Sequence, residues 1–294
     1  MKAARILRNV AMTLALGVVA SGLVNCADQP KPYCLVSPIG FAVKLIKKGQ
    51  EESTPGACDS FGPGGFNADP EVGLVPFYPQ DSKGNSDYLN GSVGIQTAEV
   101  GTIFFTAKDA GVDNTAMDGQ VYSFGKFANS RSDDDDLCHV PTLSPTHVVV
   151  AAIPPTPDDP TTPDDDETDP GQPAADITLQ WSNIDIYVSP ANYGTQFQAD
   201  LVDTRVTDTG ETCTITYKAV GLAPAVPCGA SDADGNPLTN PDGSAQLDPT
   251  LCDPIANPAN GHEIGSGITV NTDYECDPIT AFCAIRGDSI PAIK

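Results

Sequence analysis

Basic residues are scarce in this sequence: 15 Lys and Arg stand against 39 Asp and Glu, a formal net charge of −24 over 294 residues. A chain this acidic repels phosphate backbones and anionic head groups, which argues against DNA, RNA or polybasic membrane contacts. Histidine is rare as well, limited to His139, His147 and His262. Cys138-His139 has no ligand partners at zinc-site spacing, and His262-Glu263 lacks the second His of the zinc-protease helix. There is no Gly-x-Ser-x-Gly elbow, no P-loop and no dinucleotide fingerprint after a strand. Sustained helical periodicity is missing too, which excludes a helical bundle.

What is present describes a loop-rich β protein. The acids are mostly Asp, and together with 27 Gly and 27 Pro they favour turns and caps over helix interiors. Short β-branched or aromatic runs recur between turn signals: Phe41 to Ile46, Gly73 to Tyr78, Ile103 to Thr106, Gln120 to Phe124 and His147 to Ile153. Asp87 to Ser92, with Asn90-Gly91, has the composition of a turn. The clearest strands come later. Ile177, Leu179 and Trp181 alternate with polar residues, then Ile184, Ile186 and Val188 continue on the opposite parity. That phase change predicts a bulge or bend near Ser182-Asn183. Strands are also predicted over Gln196 to Val206 and from Cys213 to Ala219, and after Cys228 the chain turns repeatedly.

The first residues have the layout of a secretory signal. A basic start (Lys2, Arg5, Arg8) precedes an apolar run, Val10 to Ala20, that is too short to span a bilayer as a mature helix. Ser21-Gly22 and Leu23-Val24-Asn25-Cys26 follow. This stretch resembles the lipobox of bacterial lipoproteins, in which the Cys is acylated and becomes the first mature residue. Leu23 and Val24 fit that pattern, and Asn25 departs from its usual Gly, Ala or Ser. The resemblance implies lipidation at Cys26 and attachment to the bacterial cell envelope, at the outer membrane or cell surface. It implies no particular activity.

Cysteine arithmetic agrees with it. Nine Cys less Cys26 leaves eight: Cys34, Cys58, Cys138, Cys213, Cys228, Cys252, Cys276 and Cys283. An even set in an exported chain reads as a disulfide framework, whereas cleavage after Ala20 would leave an odd thiol. Cys213–Cys228 and Cys276–Cys283 are the expected local bridges, leaving Cys252 to join Cys34, Cys58 or Cys138.

Residues 154–176 are Pro- and Asp-rich with no apolar area to offset ordering entropy, so they are expected to form a disordered loop or linker. Three of the eight Cys precede this segment and five follow it, so an odd number of bridges must cross between the halves. The expected organisation is a signal peptide over 1–25, an anchor and spacer over 26–33, an N-terminal β part over 34–153, the loop over 154–176 and a C-terminal β part over 177–294. The fold class is all-β: a disulfide-stabilised, β-sandwich-like unit or two stapled lobes.

Candidate sites weigh less than this framework. Asp232, Asp234 and Asn236 have the alternating oxygens of a calcium loop, but Pro237 stands where an EF-hand needs Gly and Gly243 where it needs Glu. Asp242 and Asp248 are candidate further ligands. A plain Asp/Gly/Asn/Pro surface loop is the stronger reading. The acids in Ser132 to Asp136 and in Asp164 to Glu167 read as solvated faces, because successive side chains point apart in an extended chain. Trp181, Tyr187, Tyr193 and Phe197 suit either a core or an exposed binding face, with core favoured. The expectation is a membrane-anchored extracytoplasmic lipoprotein with a binding or structural role and an unidentified envelope or extracellular partner. No enzymatic activity and no cofactor are expected, calcium aside. The alternatives are an exported hydrolase with a non-local catalytic constellation and a calcium-dependent adhesion module.

Overall fold

The computed structural model describes residues 30–59, 70–112, 121–155, 171–207, 209–232, 234–261 and 263–293. The signal, Cys26, the acids Asp164 to Glu167 and His262 lie outside the described residues. In chain order the elements are β1 (Gly40–Glu52), β2 (Glu71–Phe77), β3 (Ser92–Thr97), α1 (Ala98–Asp109), β4 (Ser123–Lys126), β5 (Leu137–Thr142), β6 (Thr146–Val150), β7 (Ala175–Ser189), β8 (Asn192–Val206), β9 (Thr212–Leu222), β10 (Tyr274–Cys276) and β11 (Cys283–Ile285).

β1 to β9 form one antiparallel sheet in the order β4-β3-β2-β1-β9-β8-β7-β5, with β6 also paired to β7. The sheet curls until its ends nearly meet, so the two layers of the sandwich-like unit are opposite walls of a single sheet. Ser144 N donates to Phe124 O (2.9 Å), and Ala128 N donates to His139 O (2.8 Å), lacing β4 to the β5 side. Gly125 permits this approach. A Cβ there would lie 2.6 Å from Thr142 O and 2.7 Å from Val140 Cγ1, closer than real side chains come. Alternation decides which face turns inward. Phe41 and Val43, Val72 and Leu74, Val93 and Ile95, Leu179 and Trp181, and Phe197 and Leu201 all point into one core.

β1, from before residues 154–176, pairs with β9, from after them, so one sheet takes strands from both sides of the acidic segment. Ile153 and Gln172 exchange backbone hydrogen bonds of 2.7 and 2.9 Å, so the excursion begins and ends at one point. The expected bulge is present: the β7–β8 register shifts between Ser182 and Asp185, and Asn183 adopts φ 51°.

One strand expectation is overturned. Ile103 to Thr106 belongs to the helix α1, not to a strand. Thr97 Oγ1 caps it by accepting from Val100 N, and Val100, Phe104 and Ala107 supply a buried stripe at helical spacing. α1 packs across β2, β3 and β6 and joins the same core.

The segment after β9 is a cap with its own small core. Ile268, Ile285, Ile290 and Ala292, with three buried Cys, cover Tyr187, Val220 and Leu222 on the outer sheet face. Gln196, only 1% exposed, clasps this segment by accepting from Ala292 N (2.8 Å) and donating to Ala292 O (3.3 Å).

The pairing of the cysteines corrects the expected local bridges. The observed bonds are Cys34–Cys138, Cys58–Cys213, Cys228–Cys276 and Cys252–Cys283. Cys213 cannot reach Cys228, because β9 runs between them and separates its two ends by roughly 30 Å. Instead Cys213 pairs in register with Glu52, so the turn after β1 delivers Cys58 to it. Cys276 and Cys283 are opposite in the β10–β11 hairpin, where directly opposed Cβ atoms sit about 4.5–5.5 Å apart, wider than a disulfide favours. Each is bonded outside the hairpin. Cys252 stays within the cap, and the Cys58–Cys213 bond is the crossing that parity required.

Candidate functional site

Two polar constellations stand out, at opposite ends of the curled sheet. At the α1 end, Asp203 and Arg205 are two residues apart on β8, so both point inward. Asp203 is 2% exposed. Arg205 Nη1 and Nη2 donate to Glu99 Oε1 and Oε2 at 2.8 Å each, a bidentate pair with the first turn of α1. Its Nε donates to Asp203 Oδ1 and Oδ2 at 3.2 and 3.1 Å. Burial pushes the Asp203 carboxyl up to about 6, against the opposing pull of Arg205. The two carboxylates outweigh desolvation and hold the Arg205 guanidinium firmly charged. Burial also raises the Tyr217 phenol. A cavity of about 290 Å³ adjoins this network, lined by Glu99, Ile103, Ile177, Arg205 and Thr207 among others. The arrangement clamps α1 across the sheet and leaves an acidic, partly apolar recess beside it. Sequence reasoning missed these residues, although the alternation Leu201, Asp203, Arg205 on an inward-facing strand was a usable signal.

At the other end, β5 and β7 place His139 opposite Asp185. His139 Nδ1 lies 2.6 Å from Asp185 Oδ1, and its Nε2 lies 2.9 Å from Asp133 Oδ2. Gln198 Nε2 donates to Asp185 Oδ2 (2.9 Å). The hydrogen bond to Asp133 foremost holds the His139 imidazole above its ordinary range. Asp133 is held below the usual carboxylate range, first by accepting from Leu137 N and then by His139. Both ring nitrogens are therefore occupied by carboxylates, which leaves neither to activate a hydroxyl. His147 Nε2 lies 3.2 Å from Asp176 Oδ1 across β6 and β7.

The remaining sequence candidates do not converge. Asp232 Oδ1 accepts from Asp234 N and Asn236 N at 2.9 Å each, and Asn236 turns its NH₂ group toward the same carboxylate. That is a self-capped turn. Among the described residues, the only group of three ligand-type side chains with close donor atoms is Cys228, Cys252 and Cys283, all engaged in disulfides. Of the four aromatics, Trp181, Phe197 and Tyr187 are buried and Tyr193 is exposed.

Residues 40–224, well over half of the chain and nearly coincident with the curled sheet, match the MlpA family. The chain belongs to that family. The match covers the nine-stranded sheet with α1 and stops where the cap begins. No curated protein and no solved structure matches the chain.

Proposed function

We propose that this MlpA-family protein is a lipoprotein anchored to the bacterial envelope through Cys26, with a binding or structural role outside the cytoplasm rather than an enzymatic one. Four disulfides spread over sheet and cap suit an oxidising compartment, and one of them spans 155 residues of sequence. Membership of the MlpA family supports the lipoprotein-type part of the reading. The observation that supports the non-enzymatic part is the occupancy of His139: two carboxylates grip its two nitrogens on a half-exposed strand face, an arrangement that stiffens a wall and leaves neither His139 nitrogen free to act as a base. Intact mass of the mature protein isolated from its host tests the anchor. The expected species begins at Cys26 and carries acyl chains, and an unmodified terminus at Ser21 would overturn the reading.

A further inference from the structure

One outer face of the sheet is apolar where a water-facing wall should be polar. On β2, Val72 and Leu74 point inward while Val75 and Phe77 are 46% and 45% exposed. Val75, Gly94 and Phe124 form one register row across β2, β3 and β4. Gly94 has no side chain to stand between its neighbours: a Cβ there would sit 3.1 Å from the Phe77 ring. The Phe77 and Phe124 rings meet over it with centroids 5.3 Å apart. Leu89, 76% exposed, is on the turn that leads into β3 at the same end.

The chain leaves for Cys26 from that end. Tyr33 stacks on Tyr88 (4.7 Å between centroids), the neighbour of Leu89, and Tyr88 packs on Tyr78 (4.9 Å), the neighbour of Phe77. Tyr33 is pinned by its bridge to Arg131, whose guanidinium lies 4.0 Å over its ring, and by the adjoining Cys34–Cys138 bond. Pro30 is four residues from Cys26, a reach of at most about 14 Å. Exposed apolar side chains beside a cluster of Tyr, with Lys126 on the same face of β4, match the preferences of a membrane–water interface. Of the acids near this end, Asp133 and Asp136 are paired with His139 and Lys31, Asp81 and Asp87 accept from the backbone N–H groups of their own turns, and Asp134 and Asp135 stand on the turn beside Asp133. The Glu99–Arg205–Asp203 cluster lies at the opposite end.

We propose that the outer face of β2, β3 and β4, led by Phe77, Phe124 and Leu89, rests on the surface of the bilayer that holds the anchor. The proposal rests on the anchoring reading above. A short tether fixes which end of the protein meets the membrane, and the apolar row fixes which side turns to it.

The test uses mature, acylated protein in phosphatidylcholine–phosphatidylglycerol vesicles with brominated acyl chains as quencher. Phe77→Trp and Leu89→Trp place reporters on the face, and Ile279→Trp places one on an exposed position of the cap. The parent's single Trp181 is fully buried and gives a constant background. Quenching at positions 77 and 89 should exceed that at 279 at least threefold, and melts matching the parent establish that the variants fold. Acylated protein with equal quenching at all three positions overturns the face and leaves the anchor standing. A mass without acyl chains overturns the anchor, and the face falls with it.

Discussion

The sheet and the cap are both rich in β structure and both carry disulfides, but they are held together differently. The sheet buries a continuous core drawn from α1 and from all of its strands except β4, with Trp181, Phe41, Phe197, Leu179 and Leu201 fully enclosed. Its two bridges close sequence gaps of 104 and 155 residues over structure that already has a ladder of hydrogen bonds. The cap has one three-residue hairpin, two 3-10 turns and isolated bridges such as Gly229–Leu247 and Thr239–Ala245. Its buried set is small and Cys228, Cys252 and Cys283 are prominent in it. A segment with so little apolar burial cannot offset its ordering entropy by packing alone, so covalent closure carries a larger share there. The family match falls on the sheet, where packing carries the larger share.

The sharpest way to challenge this contrast is to weaken the sheet's interior. Trp181→Ala should cost about 3–5 kcal/mol, the usual range for emptying a fully buried aromatic site, and should lower the melting of the whole molecule because the cap sits on the sheet's outer face. Trp181→Phe should cost far less. It keeps most of the apolar volume and removes an Nε1–H that has no hydrogen-bond partner among the described residues. Equal losses from the two variants would mean that the Trp181 N–H, not ring volume, governs the site.

The cap responds to a different change. Replacing Cys252 and Cys283 together by Ala should cost about 2–4 kcal/mol, by the chain-entropy account of a loop of 31 residues. The loss should be local: hydrogen exchange and limited proteolysis should open residues 226–293 while β1 to β9 stay protected. Removing Cys34 and Cys138 in the same way should not produce a selectively open region of comparable size. Coincident unfolding of cap and sheet in the Cys252/Cys283 variant would show that Gln196, the cap's packing on Tyr187, Val220 and Leu222, and Lys44, whose Nζ donates to Glu275 Oε1 (3.0 Å) and Ile285 O (2.7 Å), bind the two into one cooperative unit.

The two regions also differ in how far the sequence discloses them. In the sheet, alternation over Ile177–Val188 places inward residues and the bulge at Ser182-Asn183, because a period of two with a single slip has one geometric solution. Helix α1 is harder to see. Its buried stripe is only Val100, Phe104 and Ala107, and Ile103-Phe104-Phe105 overlays it with an apolar run that suits a strand equally well. In the cap, nearness in sequence misleads. Cys213 and Cys228 are separated by the length of β9, whereas Cys228 and Cys276 meet through turns whose path no local pattern specifies. That an odd number of bonds crosses between the halves was accessible from parity; partner choice depends on three-dimensional paths. The Glu99–Arg205–Asp203 cluster joins the first turn of α1 to a strand residue 106 positions away, and no motif spacing encodes that meeting.

A gentler distinction lies in pH. Among the groups that titrate between acid and neutral pH, the two that burial or pairing raises, Asp203 and His139, both belong to the sheet. The Asp203 carboxyl is pushed up to about 6 in the folded state from an ordinary value of 3.8, so between these values the folded state holds the proton and the unfolded state does not. Stability must then fall as pH rises through that window. His139 is raised above 6.5, so its contribution is complete below 6.5 and is lost as pH rises through the higher folded value. The two effects share a sign. Taking the pH from 5 to 7.5 should lower the stability of the sheet by on the order of 1 kcal/mol through Asp203. His139 should add a smaller decrement toward the alkaline end, reduced by solvent screening at a half-exposed site. Chemical denaturation across this range, followed by the fluorescence of Trp181, reads the sheet directly. Asp203→Asn should flatten the acidic part of the slope, and His139→Gln only the remainder above pH 6.5. Stability that rises over the same interval would mean that Arg205 outweighs burial at Asp203 and holds it ionised, reversing the balance assigned to that pair.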